Sequence, residues 1–378
     1  MFSYLLFFFL SLGQIGRISF SNQEINIYLY EVIVGAWFLF LFFKHKFSPI
    51  EKSLKTVFHL YLFFGWLYAT FVLSLWRFTI QQNAIALLYL GRLSLYFLFF
   101  LYLNFDKKFK KNLFKRGLLL YSIFTIIFSI AQYFLYPNLR NLQYLGWDPH
   151  QYRIFGTLFD TSAQAAIVGL LILFFLFERK IIPNMTRYAL LLSSVVTGLL
   201  TYSRGFYISF LSTLAVFFVK TKQFFLLGGI LVIFAMGVFA LPKPFGEGVN
   251  LQRTFSLESR LRDNREAVDI FNKSPLFGIG YNHIRAVKSN DQQSLESHAG
   301  ASFHSSFLII LVTSGAVGLV LFLMLLWRLA MTGKTGKYYI LFLSLFSLFD
   351  NILLYPTVLL LLLLILSNSS ERKIIFRT

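Results

Sequence analysis

The chain contains no cysteine. Disulfide frameworks, thiolate nucleophiles and cysteine-ligated metals are therefore excluded. Charge is scarce as well: 13% of the 378 residues are Asp, Glu, Lys or Arg, where a soluble domain carries about a quarter. The short basic loops hold no P-loop, no G-x-G-x-x-G turn and no Asp-rich nucleotide site, so ATP or a nucleotide-sugar has no evident place to bind. Neither a repeat of fixed period nor a low-complexity tail is present. The opening "MFSYLLFFFLSLGQIGRISF" lacks a charged n-region and an A-x-A site. It reads as a first transmembrane helix that bends near Gly13, not as a removed signal peptide.

What the chain does have is apolar length. Hydrophobic residues make up 57%, and Phe alone occurs 48 times. Apolar runs near the ~20 residues that cross a bilayer core recur along it. A membrane β-barrel would instead show short alternating segments. The expected fold class is all-α: a polytopic membrane protein with a single transmembrane domain over 1–378 and about 12 transmembrane helices. The apolar segments lie near 2–13, 25–43, 57–76, 81–103, 117–136, 160–177, 187–202, 205–219, 223–241, 304–327, 338–349 and 352–368.

The net charge of +19 sorts by position. Each dense basic cluster, such as "KHKFSPIEKSLK" and "KKFKKNLFKR", follows an even-numbered segment. That side holds 21 of the 35 Lys and Arg residues against four acids, Glu51, Asp106, Glu178 and Glu371. By the positive-inside rule it is cytoplasmic. The expectation is a multi-pass bacterial inner-membrane protein with both termini in the cytoplasm. The charge is then a topology signal, and no nucleic-acid partner is implied.

The opposite face carries a loop at 137–159, the short turn Tyr202–Gly205 and a long polar loop, 242–303, between the ninth and tenth segments. A loop of that length is usually functional. Within it, 256–273 reads as an amphipathic helix lying against the outer membrane surface. Leu257, Leu261, Val268 and Phe271 form its apolar stripe, Ser256 caps it, Pro275 ends it and "FGIG" turns the chain.

Several residues on this face invite chemistry. Arg204, in "TYSRGFYISF", fits a turn arginine snorkelling to headgroups, and equally a fixed cation for a lipid-borne phosphate. Arg153, in "QYRIFGTLFD", carries the same two readings. Arg260, Arg262 and Arg265 fit a solvated helical face as well as a site. Of six histidines, His304 alone sits at the predicted start of a membrane helix, where it serves as an interfacial ring or as a base for an acceptor hydroxyl; His298 competes for that role. No H-x-x-H spacing and no carboxylate cluster in the sequence joins the histidines, so no metal site is expected. Glu31 and Arg92 are isolated ionisable residues within apolar segments, open to pairing across the second and fourth.

Four motifs, in order, resemble the O-antigen ligase and polymerase superfamily of bacterial membrane glycosyltransferases. They are "RIFGTLFDTSAQAAIVGLLIL" (R-x-x-G-T), "TYSRGFYISFL" (S-R-G), "SRLRDNREAVDIFNKSPLFGIGYNHI" (loop arginine, then P-L-x-G-x-G) and "HSSFLIILVTSGAVGLVLFL" (histidine, then G-x-x-G), together covering about 153–327. The resemblance implies a C-type glycosyltransferase fold. It implies transfer of a glycan from undecaprenyl diphosphate to an acceptor hydroxyl on the periplasmic face, with no cofactor and no metal. By that likeness Arg204 and Arg260 bind the diphosphate, and His304 acts as general base or orients the acceptor. Two positions depart from the family pattern. Ser305 replaces the asparagine that usually follows the histidine, and Asn264 replaces an aromatic, so Arg262 or Arg265 is open to sharing the role of Arg260. The leading expectation is a ligase acting on lipid A-core. Alternatives are a polymerase of lipid-linked repeat units, protein O-glycosylation and, in another class, a transporter of the same lipid. The transporter reading expects broken mid-membrane helices in paired halves, of which the sequence shows little.

Overall fold

In the computed structural model the described residues are 2–20, 24–54, 56–106, 111–178, 183–242, 244, 247–251, 254–288 and 302–368. The chain runs α1 (Phe2–Leu12), β1 (Arg17–Phe20), β2 (Ile25–Tyr28), α2 (Leu29–His45), α3 (Ser48–Ser53), α4 (Phe58–Ser74), α5 (Ile80–Phe105), α6 (Lys111–Leu135) and α7 (Thr161–Phe177). It continues through α8 (Asn184–Leu199), α9 (Arg204–Lys220), α10 (Phe224–Phe239), α11 (Phe255–Lys273), α12 (Ile284–Val287), α13 (Ser306–Ala330), α14 (Gly336–Phe346) and α15 (Pro356–Asn368). The fold is mainly helical, and each of the twelve apolar segments carries one of these helices. Among the described residues, four helical stretches are long and apolar enough to cross a membrane: Phe58–Arg77, Ile80–Phe105, Phe114–Leu135 and Ser306–Ala330. Shorter apolar helices, α7, α10, α14 and α15 among them, join these four.

Sequence dictates where each helix sits in the bundle. α7 and α15 are apolar on every side, and both are buried on nearly every side at the centre. α10 is equally apolar, yet among its residues only Phe234 is buried, while Phe225, Ile233, Met236 and Phe239 are exposed. An apolar outer surface of that kind belongs to a protein solvated by lipid. Polar caps start the helices at the sequence breaks. Asp160 Oδ1 accepts from the Ser162 and Ala163 amides at 2.7 and 2.9 Å, and Thr79 and Gln82 form a reciprocal box at the start of α5.

Contacts between distant loops sort the two ends of the bundle. Lys44, in the last turn of α2, meets Asp106, after α5, at 2.8 Å; Lys115 of α6 meets Glu178, after α7, at 3.9 Å. The clusters that follow the second, fourth and sixth segments therefore gather at one end. At the other, Thr157 donates to the Ser11 carbonyl at 2.8 Å and Asn83 meets His283 at 3.0 Å. Glu31 and Arg92 pair between α2 and α5 at 2.7 Å, and Tyr96 donates to the same carboxylate.

Four features differ from the sequence reading. Residues 25–28 do not begin the second helix. They pair antiparallel with 17–20, Arg17 opposite Tyr28 and Phe20 opposite Ile25. The loop helix is capped at Thr254 without a side-chain bond, so Ser256 is not its cap. Its packed face is also different: Asp263, Ala267 and Ile270 are buried, whereas Leu261 and Val268 are exposed. Finally, α13 is broken at Gly315, whose φ of 70° and ψ of −175° are not helical.

That break is tightly clamped. Ending the first half of α13 frees carbonyls that must find donors inside the protein. The Ile279 amide donates to the Val312 carbonyl at 3.0 Å and the Gly280 amide to Thr313 at 2.9 Å, while Trp66 Nε1 donates to Ser314 at 2.8 Å. The Ala316 amide returns a bond to Pro275 at 2.8 Å. The approach is close enough to require glycine. A Cβ on Gly278, at φ +70°, would lie 2.4 Å from the Thr313 carbonyl carbon, and one on Gly315 would lie 2.1 Å from the Leu276 oxygen. The P-L-x-G-x-G stretch and the break in α13 are thus two halves of one joint.

Candidate active site

The clamp fixes α11 across the end of α13, and α11 delivers two charges. Arg260 and Asp263 are spaced by three and share the inward face. Asp263 Oδ2 accepts from Nδ1 of His304, two residues before α13 begins. Its other oxygen, Oδ1, accepts from Lys288 Nζ at 2.9 Å. Arg260 Nη2 lies 3.7 Å from Asp350, on the turn between α14 and α15. Arg260 Nε is buried with no acceptor among the described residues. Arg204, the first residue of α9, donates to the Leu251 carbonyl at 3.2 Å, and Arg260 is near enough for its charge to act on Arg204.

The electrostatics follow from these contacts. Burial pulls the His304 pKa down. The Asp263 hydrogen bond and the negative charges of Asp350 and Asp263 outweigh burial and the opposing Arg260, leaving the imidazole above its ordinary value. Burial pushes Asp263 up, but hydrogen bonds from His304 and Lys288 hold it below the usual carboxylate range. With Nδ1 engaged by a carboxylate, a neutral His304 presents Nε2 as its acceptor. The histidine side chain remains 27% exposed, enough for a hydroxyl to reach it.

The structure brings His304, Arg260 and Arg204 to one end of the bundle. Arg262 and Arg265 are exposed on other faces of α11. Arg153 is buried, and its guanidinium holds the S-R-G turn: Nε donates to the Thr201 carbonyl at 2.8 Å and Nη2 to Tyr202 at 3.4 Å. Tyr202 itself takes a φ of 50°, so Arg153 steadies the strained residue two before Arg204. Ser305 bonds the Ser347 carbonyl at 2.8 Å, not His304. His298 lies outside the described residues.

Three residues escaped the sequence reading: Asp263, Lys288 and Asp350. Asp263 was visible only as one of several loop acids, beside Arg265 on the loop helix. Its partners are 25 and 41 residues away, and no spacing rule connects them. Among the described residues no group of three or more His, Asp or Glu side chains gathers as a metal site. Here the carboxylate beside the histidine has a lysine for its third member.

Residues 188–323 match the O-antigen ligase family model. The matched span holds the S-R-G turn, the loop helix, the P-L-x-G-x-G stretch and His304, while the R-x-x-G-T segment precedes it. The match supports the resemblance carried by the three motifs within it, and broadly a function of the O-antigen ligase and polymerase type; a glycosyltransferase-like activity is what that family implies. No curated protein matches the chain.

Proposed function

We propose that the protein is an O-antigen ligase. It moves a glycan from undecaprenyl diphosphate to a hydroxyl of lipid A-core, in the bacterial inner membrane. The whole chain forms one transmembrane domain of about twelve crossings, with both termini cytoplasmic and 242–303 on the periplasmic side. The observation that carries the reading is the under-coordinated Arg260. A guanidinium has five N–H donors; among the described residues this one has a single long carboxylate contact and a buried Nε without an acceptor. It stands beside Arg204 and one helical turn from the residue that holds His304. Two arginines so placed suit a diphosphate, whose charge grows as it leaves. No divalent ion is called for in this scheme.

In the proposed reaction His304 Nε2 takes the proton of the acceptor hydroxyl. The acceptor oxygen bonds the anomeric carbon as that carbon's bond to the diphosphate breaks. Arg260 and Arg204 receive the electron pair's charge on the departing phosphate. The test offers purified protein a lipid-diphosphate glycan with lipid A-core or with a second glycan lipid. Glycosylated core supports the ligase, and a ladder of lipid-linked glycan reassigns the protein as a polymerase. No product with either acceptor, together with transport in vesicles, sinks the enzyme. Transfer is expected to persist in EDTA.

A further inference from the structure

Lys288 is buried, 7% exposed, at the end of α12. A lysine in that position is costly unless paired. Its ammonium donates to Asp263 Oδ1 at 2.9 Å and to the Ser302 carbonyl at 3.0 Å, and lies 5.1 Å over the Phe303 ring. A helix tether between α11 and the following loop would be complete with that ion pair. Yet Asp263 turns its second oxygen to His304. The nearby cation Arg260 goes to a different acid, Asp350. Each carboxylate thus has its own partner, and among the described residues Asp263 is shared between Lys288 and the imidazole.

We propose that Asp263 is the positioning residue of His304, and that Lys288 keeps its carboxylate ionised and oriented for that purpose. The inference rests on the transfer reaction proposed above. Asp263 Oδ2 accepts the Nδ1 hydrogen of the neutral ring, which fixes the tautomer and leaves the lone pair on Nε2. When Nε2 takes the acceptor's proton, the positive charge that forms faces a carboxylate already in place. The proton stays on Nε2 until water removes it. Asp263 does not take it, because Lys288 favours the anion. The charged groups acting on His304 are Asp263 and Arg260 from α11 and Asp350 from the turn before α15, with Lys288 from the end of α12 on the other oxygen of Asp263.

The experiment measures kcat, KM for the lipid-diphosphate glycan and the pH dependence of kcat in full-length protein. D263N should lower kcat by ~10-fold or more, leave KM for the donor unchanged and move the acid limb to lower pH, because the imidazole loses its anion. D263E should recover part of kcat. K288M should move the acid limb the opposite way, to higher pH, because the anion then acts on His304 without a competing cation. A purely structural ion pair would give no such opposed shifts. D263N with wild-type kcat and an unmoved limb overturns the inference while the transfer reaction stands. Absence of transfer by the wild type sinks both. If D263N is not recovered folded, K288M decides by the direction of its limb; an unmoved limb overturns the inference.

Discussion

His304 is gripped at Nδ1 and open at Nε2, and that asymmetry sets what pH should do. As a base the ring works only when neutral, so activity should rise as pH rises through its pKa, with a midpoint above the ordinary value of about 6.5. Stability runs the other way. A raised histidine pKa contributes stability that is fully present below about 6.5 and is lost as pH climbs through the folded value; the depressed Asp263 contributes above about 3.9 and is lost as pH falls. Thermal midpoints should therefore favour mildly acidic buffer while turnover favours neutral or higher. Coincident optima would count against His304 as the base. His304→Ala should abolish transfer with expression intact. Arg260→Gln should raise KM for the donor and lower kcat together, since the diphosphate is met in both ground and transition states; an unchanged donor KM would move diphosphate recognition to Arg204 alone. His304 and Arg204 were legible because a polar residue at a membrane-helix start stands out against apolar surroundings, and Arg260 only through the loop motif that resembles the family. Asp263, Lys288 and Asp350 were not, because a polar loop contains many acids and bases and only the fold selects which of them meet.

Helices were more readable than their faces. Apolar runs fix where the bundle helices lie, and the Pro275 stop matched the end of α11 at Lys273. The stripe on α11 was misjudged for a physical reason. Apolar periodicity assumes that water is the alternative to the core, and near lipid an outward Leu261 or Val268 carries less cost. The inward face is the one whose charges have partners. The clamp at Gly315 yields a paired test. Gly278→Ala forces a Cβ into the Thr313 backbone at a left-handed φ, a strain of about 1–3 kcal/mol or more, and should lower the thermal midpoint in detergent. Gly228 on α10 has nothing within 4 Å of an added Cβ, and Gly228→Ala should be neutral or stabilising by up to ~1 kcal/mol. Equal effects would mean that the joint is not under steric constraint. Trp66→Phe, which strips the donor from the Ser314 carbonyl, should cost about 1–3 kcal/mol.

At the scale of the molecule, charge parity and fold agree on two distinct ends, linked within themselves by Lys44–Asp106 and Lys115–Glu178 at one and by Arg260–Asp350 at the other. A chain without cysteine makes the orientation directly testable, since one introduced thiol is the only target. Tyr144→Cys, at a position 81% exposed, should react with an impermeant maleimide from the periplasmic side. Lys222→Cys should react only after the membrane is opened. The reverse pattern would invert the topology and place the site in the cytoplasm. The break in α13 lay beyond sequence reading because glycines in an apolar run, such as Gly315 and Gly318, are common in membrane helices. What marks Gly315 is the distant P-L-x-G-x-G stretch that fits against it.

The joint also dictates what kind of change the chain can absorb over generations. Asp263 is aimed at His304 by a helix whose following turn is pinned at Ile279 and Gly280. One residue added or removed between Asp263 and Pro275 would turn the carboxylate by about 100° and break its hold on the imidazole, even if every side chain were kept. From Arg260 to Gly280 the chain acts as a ruler. Its letters are open to substitution at exposed places such as Leu261 and Val268, but its length is not.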